Sequence, residues 1–198
     1  MKIKKSYILL VLVLIVAALA CGCSGKADAK KSFDATMQAF KSADKSEIDK
    51  YYSFQTVTAY IDEADGEQYR DAVLSTLKKM EYKVNSTKQV SDTAVVINAE
   101  ITTIDYSKVV NSYIDKVSKL VKSEEYIKSV KTMSEEEYKK LLAEKMIESI
   151  NENLETRKST TVDATMIKTE NGWSLGGDTN DLLNALFANM SNAVNYLS

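Results

Sequence analysis

The chain has no histidine and no proline, and only two cysteines and six glycines in 198 residues. Without histidine there is no Ser-His-Asp triad, no Cys-His pair, no imidazole base and no His-ligated zinc. Both cysteines, Cys21 and Cys23, precede the body of the chain, so no disulfide can staple the fold. Without proline, and with four glycines beyond residue 25, the body should consist of long regular elements. Charge of one sign is also lacking. The 26 basic and 28 acidic side chains nearly cancel, for a net of −2. A nucleic-acid binder needs a concentrated basic face, so no nucleic-acid partner is expected.

The N-terminus is laid out as a secretory signal peptide over residues 1–20. Lys2, Lys4 and Lys5 form a positive region, and Tyr7 to Ala20 is an apolar run too short for a comfortable membrane span. An uncleaved anchor helix is the alternative. Cys21-Gly22-Cys23-Ser24-Gly25 follows directly. A Cys placed after small residues at the end of such a run resembles a bacterial lipoprotein signal, in which the leader is cut off before the Cys and its thiol takes a diacylglyceryl group. This resemblance implies lipidation at Cys21, with Cys23 as the alternative, and an extracytoplasmic domain held on the membrane by palmitate-type lipid. Residues 21–27 then form the lipidated Cys and a polar tether, and residues 28–198 a single domain. Loss of the three leader Lys would shift the net charge from −2 to −5. Attachment would then come from lipid and not from a polybasic surface.

The periodicity of the body predicts an α+β fold. Phe33, Met37 and Phe40 follow helical spacing. Ser46-Glu47-Ile48-Asp49 has the spacing of a capping box and can start a short second helix. Gln55 to Ile61 reads as a short strand or an irregular link. Tyr69, Val73, Leu77 and Met80 mark a third helix. The period then changes to two: Glu81 to Gln89 is a strand, and Thr93 to Asp105 a longer one with Val95, Ile97, Ala99 and Ile101 on one face. Helical spacing returns over about 106–156, through Tyr106, Val109, Tyr113 and Val117 and then Leu142, Met146, Ile150 and Leu154. Ser134 and Glu137 form a capping box between Met133 and Tyr138. Ser159 to Thr169 is again a strand. Asn171-Gly172 predicts a tight type I′ turn into Trp173-Ser174-Leu175. Asp178 caps a last helix carrying Leu182, Leu183, Leu186, Phe187, Met190 and Val194. The expected architecture is a curved antiparallel sheet of about four strands packed by N-terminal helices, with a long helical insert and a C-terminal helix.

Several stretches carry a resemblance. Phe40 to Glu47 followed by Tyr51-Tyr52, Asp92 to Ile97, Asn171-Gly172-Trp173-Ser174-Leu175, and Asp178 to Met190 are similar to segments of small lipoproteins with a nuclear-transport-factor-2-like (cystatin-like superfamily) domain. Such proteins occur in Gram-positive bacteria and are of unknown function. The resemblance implies a sheet cone that can hold a ligand, and enzymes of the class place a carboxylate or a Tyr there.

Candidate chemistry is sparse. Glu100, Asp105 and Asp163 are the carboxylates on strands or their ends, and one of them beside Tyr82, Tyr106 or Tyr113 could serve as a base of raised pKa. The alternative is a solvated strand face with amphipathic core tyrosines. Glu135-Glu136-Glu137 are consecutive on a helix and point in different directions, so they cap the helix and cannot converge on one ion. Trp173 reads as a core aromatic. No metal or cofactor is expected. The reading is of a non-catalytic binding or accessory protein of the cell envelope; the alternative is an enzyme using a carboxylate-Tyr pair in the cone. An empty apolar cone would favour a small apolar ligand, and a cone plugged by 106–156 an envelope protein. An exposed apolar face at Val109, Tyr113 and Val117 would favour binding on the insert.

Overall fold

The alternation read through Val95 to Ile101 is the centre of the fold. The structure is a computed structural model and describes residues 25–54 and 67–187. Four antiparallel strands form one open sheet in chain order: β1 (Glu81–Ser91), β2 (Ala94–Thr103), β3 (Lys158–Thr169) and β4 (Gly172–Leu175). Among the described residues there are seven helices. They are α1 (residues 25–42), α2 (Lys45–Ile48), α3 (Glu67–Lys78), α4 (Tyr106–Val121), α5 (Glu124–Ser129), α6 (Glu135–Asn153) and α7 (Asn180–Phe187). The α+β class, the antiparallel four-stranded sheet and the C-terminal helix are as expected. The leader with Cys21 and Cys23, the segment Gln55 to Ile61, and Met190 and Val194 lie outside the described residues.

One face of the sheet is buried. Val95, Ile97, Ala99 and Ile101 of β2 are fully covered. Their register partners on β3 alternate in size: Met166 faces Val95, Ala164 faces Ile97 and Val162 faces Ala99. Large beside small keeps the layer level and densely packed. β1 runs two residues beyond expectation and carries register shifts at Val84/Ser86 and Gln89/Ser91. Each shift adds one residue and bends the strand. The first also resets the alternation, so that Tyr82, Val84, Thr87 and Gln89 all pair with inward residues of β2.

Helix α1 contributes Phe33, Met37 and Phe40 to the same core. The Phe33 ring meets Tyr82 of β1 edge-on, centroids 6.1 Å apart, and Phe40 meets Tyr52 in the same way at 5.9 Å. Residues 25–27, read from the sequence as tether, are already helical. Nothing in Lys26-Ala27-Asp28 breaks a helix, and the indole of Trp173 lies beside Gly25, 3.6 Å from where a Cβ would stand. Two caps also differ from expectation. Helix α2 is capped by Asp44, whose carboxylate accepts the N–H groups of Ser46 and Glu47, so the cap sits two residues before the Ser46 box. Asp178 accepts the Asn180 N–H at 2.9 Å, while Thr179 supplies the carbonyl that starts α7.

The β3–β4 turn is not type I′ at Asn171-Gly172. Thr169 pairs with Gly172, so Glu170 and Asn171 are the turn. The positive φ falls on Gly172 alone, at +117°. Glu170 carries a side chain that makes φ > 0 costly, and the following glycine absorbs the twist instead.

The insert starts at Tyr106 and ends near Thr156. It leaves and returns at one end of the sheet, where Thr103 of β2 pairs with Lys158 of β3. Helices α4 and α6 pack side by side, and α3 packs on α6, rather than lying across the strands. Lys79 after α3 holds Glu155 after α6 at 2.8 Å. Gly25 and Trp173 sit at the opposite end, where Trp173 pairs with Lys168.

Candidate functional site

The α4–α6 hairpin is built from strong local signals. Asp105 caps α4 and accepts the Ser107 N–H at 3.1 Å and the Ser107 hydroxyl. These bonds, the hydroxyl first, hold its carboxyl below the ordinary range. Ser123 caps α5 through the Tyr126 N–H at 3.2 Å. At α6 the capping box forms in full: the Ser134 N–H donates to Glu137 Oε2 at 2.8 Å, and the Glu137 N–H donates to Ser134 Oγ at 3.2 Å. Bonds from the Ser134 main chain and hydroxyl lower the Glu137 pKa. Glu135 pairs with Lys139 at 2.9 Å. Glu135 and Glu137 thus serve separate roles, and among the described residues no group of three or more acidic, Cys or His side chains could hold a metal ion.

The seam between α4 and α6 has two parts. Tyr106, Val109 and Tyr113 of α4 and Ala143, Met146 and Ile150 of α6 are buried near the sheet. Beside them Lys116 reaches Glu152 at 2.6 Å and Glu148 at 3.8 Å, and Ser112 donates to Glu152 at 3.0 Å. The pairing raises the Lys116 pKa and lowers that of Glu152. Such solvent-screened pairs add little stability but favour one register of the two helices.

Beyond this point the hairpin is exposed. Helix α5 has no buried residue. Ile114 (36%), Val121 (41%), Ile127 (51%), Val130 (40%) and Tyr138 (37%) are five of the eight large hydrophobics exposed among the described residues. Exposed charged side chains are interleaved with them along the chain: Lys119, Lys122, Lys128 and Lys131 with Glu124 and Glu125. Apolar groups gathered in one segment with a charged border are the composition of a protein-contact surface. The face Val109-Tyr113-Val117, whose exposure would have favoured binding on the insert, is turned inward: Val109 and Tyr113 are buried and Val117 half-buried, because α6 returns against it. The exposed set occupies other positions. Its signal in the sequence is apolar residues at Ile114 and Ile127, off the main stripe.

The carboxylate-Tyr arrangement does not form. Glu100 and Asp163 are exposed on the outer sheet face, and Asp163 accepts from Asn98 at 2.7 Å. Tyr82 lies on the inner-face parity, and Tyr106 and Tyr113 are in the helical core. The Tyr82 phenol sits 3.4 Å from both the Gln38 amide and the Asp34 carbonyl; partial burial pushes its pKa up. Nor is the sheet's inner face an open cone. Phe33, Met37, Leu183, Leu186, Val109 and Met146 join Val95 to Ile101 in one core. Trp173 is half-buried against that core, as read. No helix among the described residues is long and apolar enough to cross a membrane.

No family model matches the chain, and no curated protein matches it. Among solved structures the chain is similar to a candidate lipoprotein, ycdA, of Bacillus subtilis, at 18% identity and a TM-score of 0.40. The match covers 69% of this chain and 39% of that one, so the chain spans about two fifths of the other protein's length.

Proposed function

We propose that this is a lipid-anchored, extracytoplasmic accessory protein that engages another envelope protein through its helical hairpin, without catalysis. The anchoring half of the reading is supported by the leader and the Cys21-Gly22-Cys23 sequence. The packing of helices on an antiparallel sheet agrees with a nuclear-transport-factor-2-like domain. The observation that carries the binding half is the gathering of Ile114, Val121, Ile127, Val130 and Tyr138 on the insert. The hairpin is attached at the end of the strands opposite residue 25. A chain tethered just before residue 25 would hold that hairpin away from the membrane and available to a neighbour.

The two halves have separate tests. A fatty-acid probe should label the wild-type chain and fail to label Cys21→Ala; equal labelling would move the site to Cys23. A photo-reactive side chain placed at Ile127 should cross-link one discrete partner in native membranes, and the same group at Glu100 should not. Cross-linking from Glu100 alone would refute the hairpin as the binding surface.

A further inference from the structure

The first half of β3 is an open edge. Strand β4 pairs with β3 only from Met166 to Thr169, and Gly176 adds one bond, its N–H donating to the Thr165 carbonyl at 2.9 Å. The register of β3 with β2 is unbroken from Lys158 to Ile167, so successive residues turn their main-chain groups alternately to the two sides. The Lys168 N–H points toward β2, donating to the Thr93 carbonyl at 2.9 Å, and the Thr165 carbonyl points away. Thr161 and Asp163 share the parity of Thr165. Their N–H and C=O groups therefore face the edge that β4 leaves uncovered, and among the described residues nothing pairs with them there.

Proteins usually blunt such an edge. Here α7 runs alongside but leaves a cleft of about 480 Å³, a volume within the range of ligand sites. Asn98, Thr161 and Asp163 line it from the sheet, and Asp181, Asn184 and Ala185 from α7. Two carboxylates line the cleft and no Lys or Arg does. Asn98 donates to one oxygen of Asp163 at 2.7 Å, which orients the carboxylate and leaves its second oxygen for a ligand. Strand donors and acceptors beside uncompensated negative charge match one chemistry: an extended chain with basic side chains.

We propose that this cleft takes a basic, extended peptide, which adds as a strand along Thr161–Asp163 and sets a Lys or Arg against Asp163 and Asp181. The amides of the peptide pair with the β3 edge, and its cation pairs with the carboxylates. The surface is separate from the hairpin, so the two readings stand or fall independently.

The experiment is fluorescence anisotropy on the full chain in detergent micelles, with a labelled Lys-Thr-Lys-Thr-Lys amide as probe. Saturable binding is expected, weakened at least about tenfold in Asp163→Asn/Asp181→Asn by loss of the charge-assisted contacts. The same probe N-methylated at alternate amides should also bind at least about tenfold more weakly, because methylation removes the strand donors. Three results would each overturn the proposal: no saturation at about millimolar probe, equal binding by the double variant, or equal binding of the methylated probe. The methylated probe needs no protein variant, so its outcome holds even if the substitutions disturb the fold.

Discussion

The phenol of Tyr106 and the hydroxyl of Thr76 lie 2.5 Å apart in the interior, joining the first residue of α4 to α3. The Thr76 hydroxyl donates to the Val73 carbonyl at 2.6 Å. The pair fixes where the insert begins relative to the helix before the sheet. Its two halves are unequal. Tyr106→Phe leaves Thr76 its carbonyl partner and should cost about 1 kcal/mol. Thr76→Val leaves a buried phenol without a partner and should cost more, about 1–3 kcal/mol. Urea melts of the two variants and of the double variant test this; the double variant should cost less than the sum.

The same tyrosine makes the fold sensitive to alkali. Burial pushes the Tyr106 phenol well above its ordinary value of 10.0. The unfolded chain releases that proton near its ordinary value, and the folded chain holds it. Stability should therefore be unaffected by this group below about pH 10 and fall as pH rises further, by up to about 1.4 kcal/mol per pH unit. Tyr106→Phe should flatten that decline in melts recorded between about pH 8 and about pH 11. Tyr82, shifted in the same direction by partial burial, should leave a smaller residue of the effect.

At the hairpin tip, Ser134→Ala removes the hydroxyl that caps α6 and should cost about 1 kcal/mol. The loss should be local. Amide hydrogen exchange should quicken over the first turns of α6 and remain unchanged in β2. The Glu137 carboxyl, held below its ordinary value by the Ser134 bonds, stabilises the cap at neutral pH. That contribution is lost as pH falls through its folded pKa, so the tip should loosen in acid before the sheet does.

Gly176 has no room for a side chain. A Cβ there would stand 2.2 Å from Cδ1 and 3.0 Å from Cβ of Ile167. Rotation of the Ile167 side chain can relieve the first clash but not the second. Gly176→Ala should therefore destabilise by about 1–3 kcal/mol. Gly176→Ala combined with Ile167→Gly should recover part of it, since every crowding side-chain atom of residue 167, Cβ included, is gone. Thermal melts of the three variants decide this, and additive losses would refute the crowding.

Ile127 lies on α5, which buries nothing, and Val130 caps its C-terminus. Ile127→Asp with Val130→Asp should change stability by no more than about 0.5 kcal/mol. The same change should abolish the cross-link formed when the photo-reactive side chain is placed at the exposed Val121 instead. A variant that melts normally and no longer captures its partner would separate binding from folding.

Where one period dominated, the sequence was sufficient. Val95 to Ile101 alternate without a break, Phe33, Met37 and Phe40 keep helical spacing, and Ser134 and Glu137 have a capping geometry that depends on four residues only. What was not legible depended on distant partners or single-residue offsets. The resets in β1 follow from pairing with β2, not from the composition of Val84 to Ser91. The Gly172 turn and the Asp44 cap each differ by one or two residues from an equally good local choice. Tyr113 faces inward because α6 comes back against it, and no local pattern records which side of a helix a later helix will cover. The same holds for the β3 cleft: Asp163 and Asp181 are 18 positions apart, and only the shortness of β4 brings them to one opening.

Thr103 and Lys158 are register partners, although more than fifty residues separate them in the chain. β2 and β3 would therefore make an ordinary hairpin if a short turn replaced everything between. The insert is a cassette on an intact frame. Descendants of one ancestral sheet could lengthen, trim or exchange it without re-registering a single strand. The requirement that limits such exchange is the cover it gives α3, whose Thr76 is buried against the Tyr106 phenol. Relatives that have lost the cassette should carry a charged or otherwise fully solvated residue at the position of Thr76.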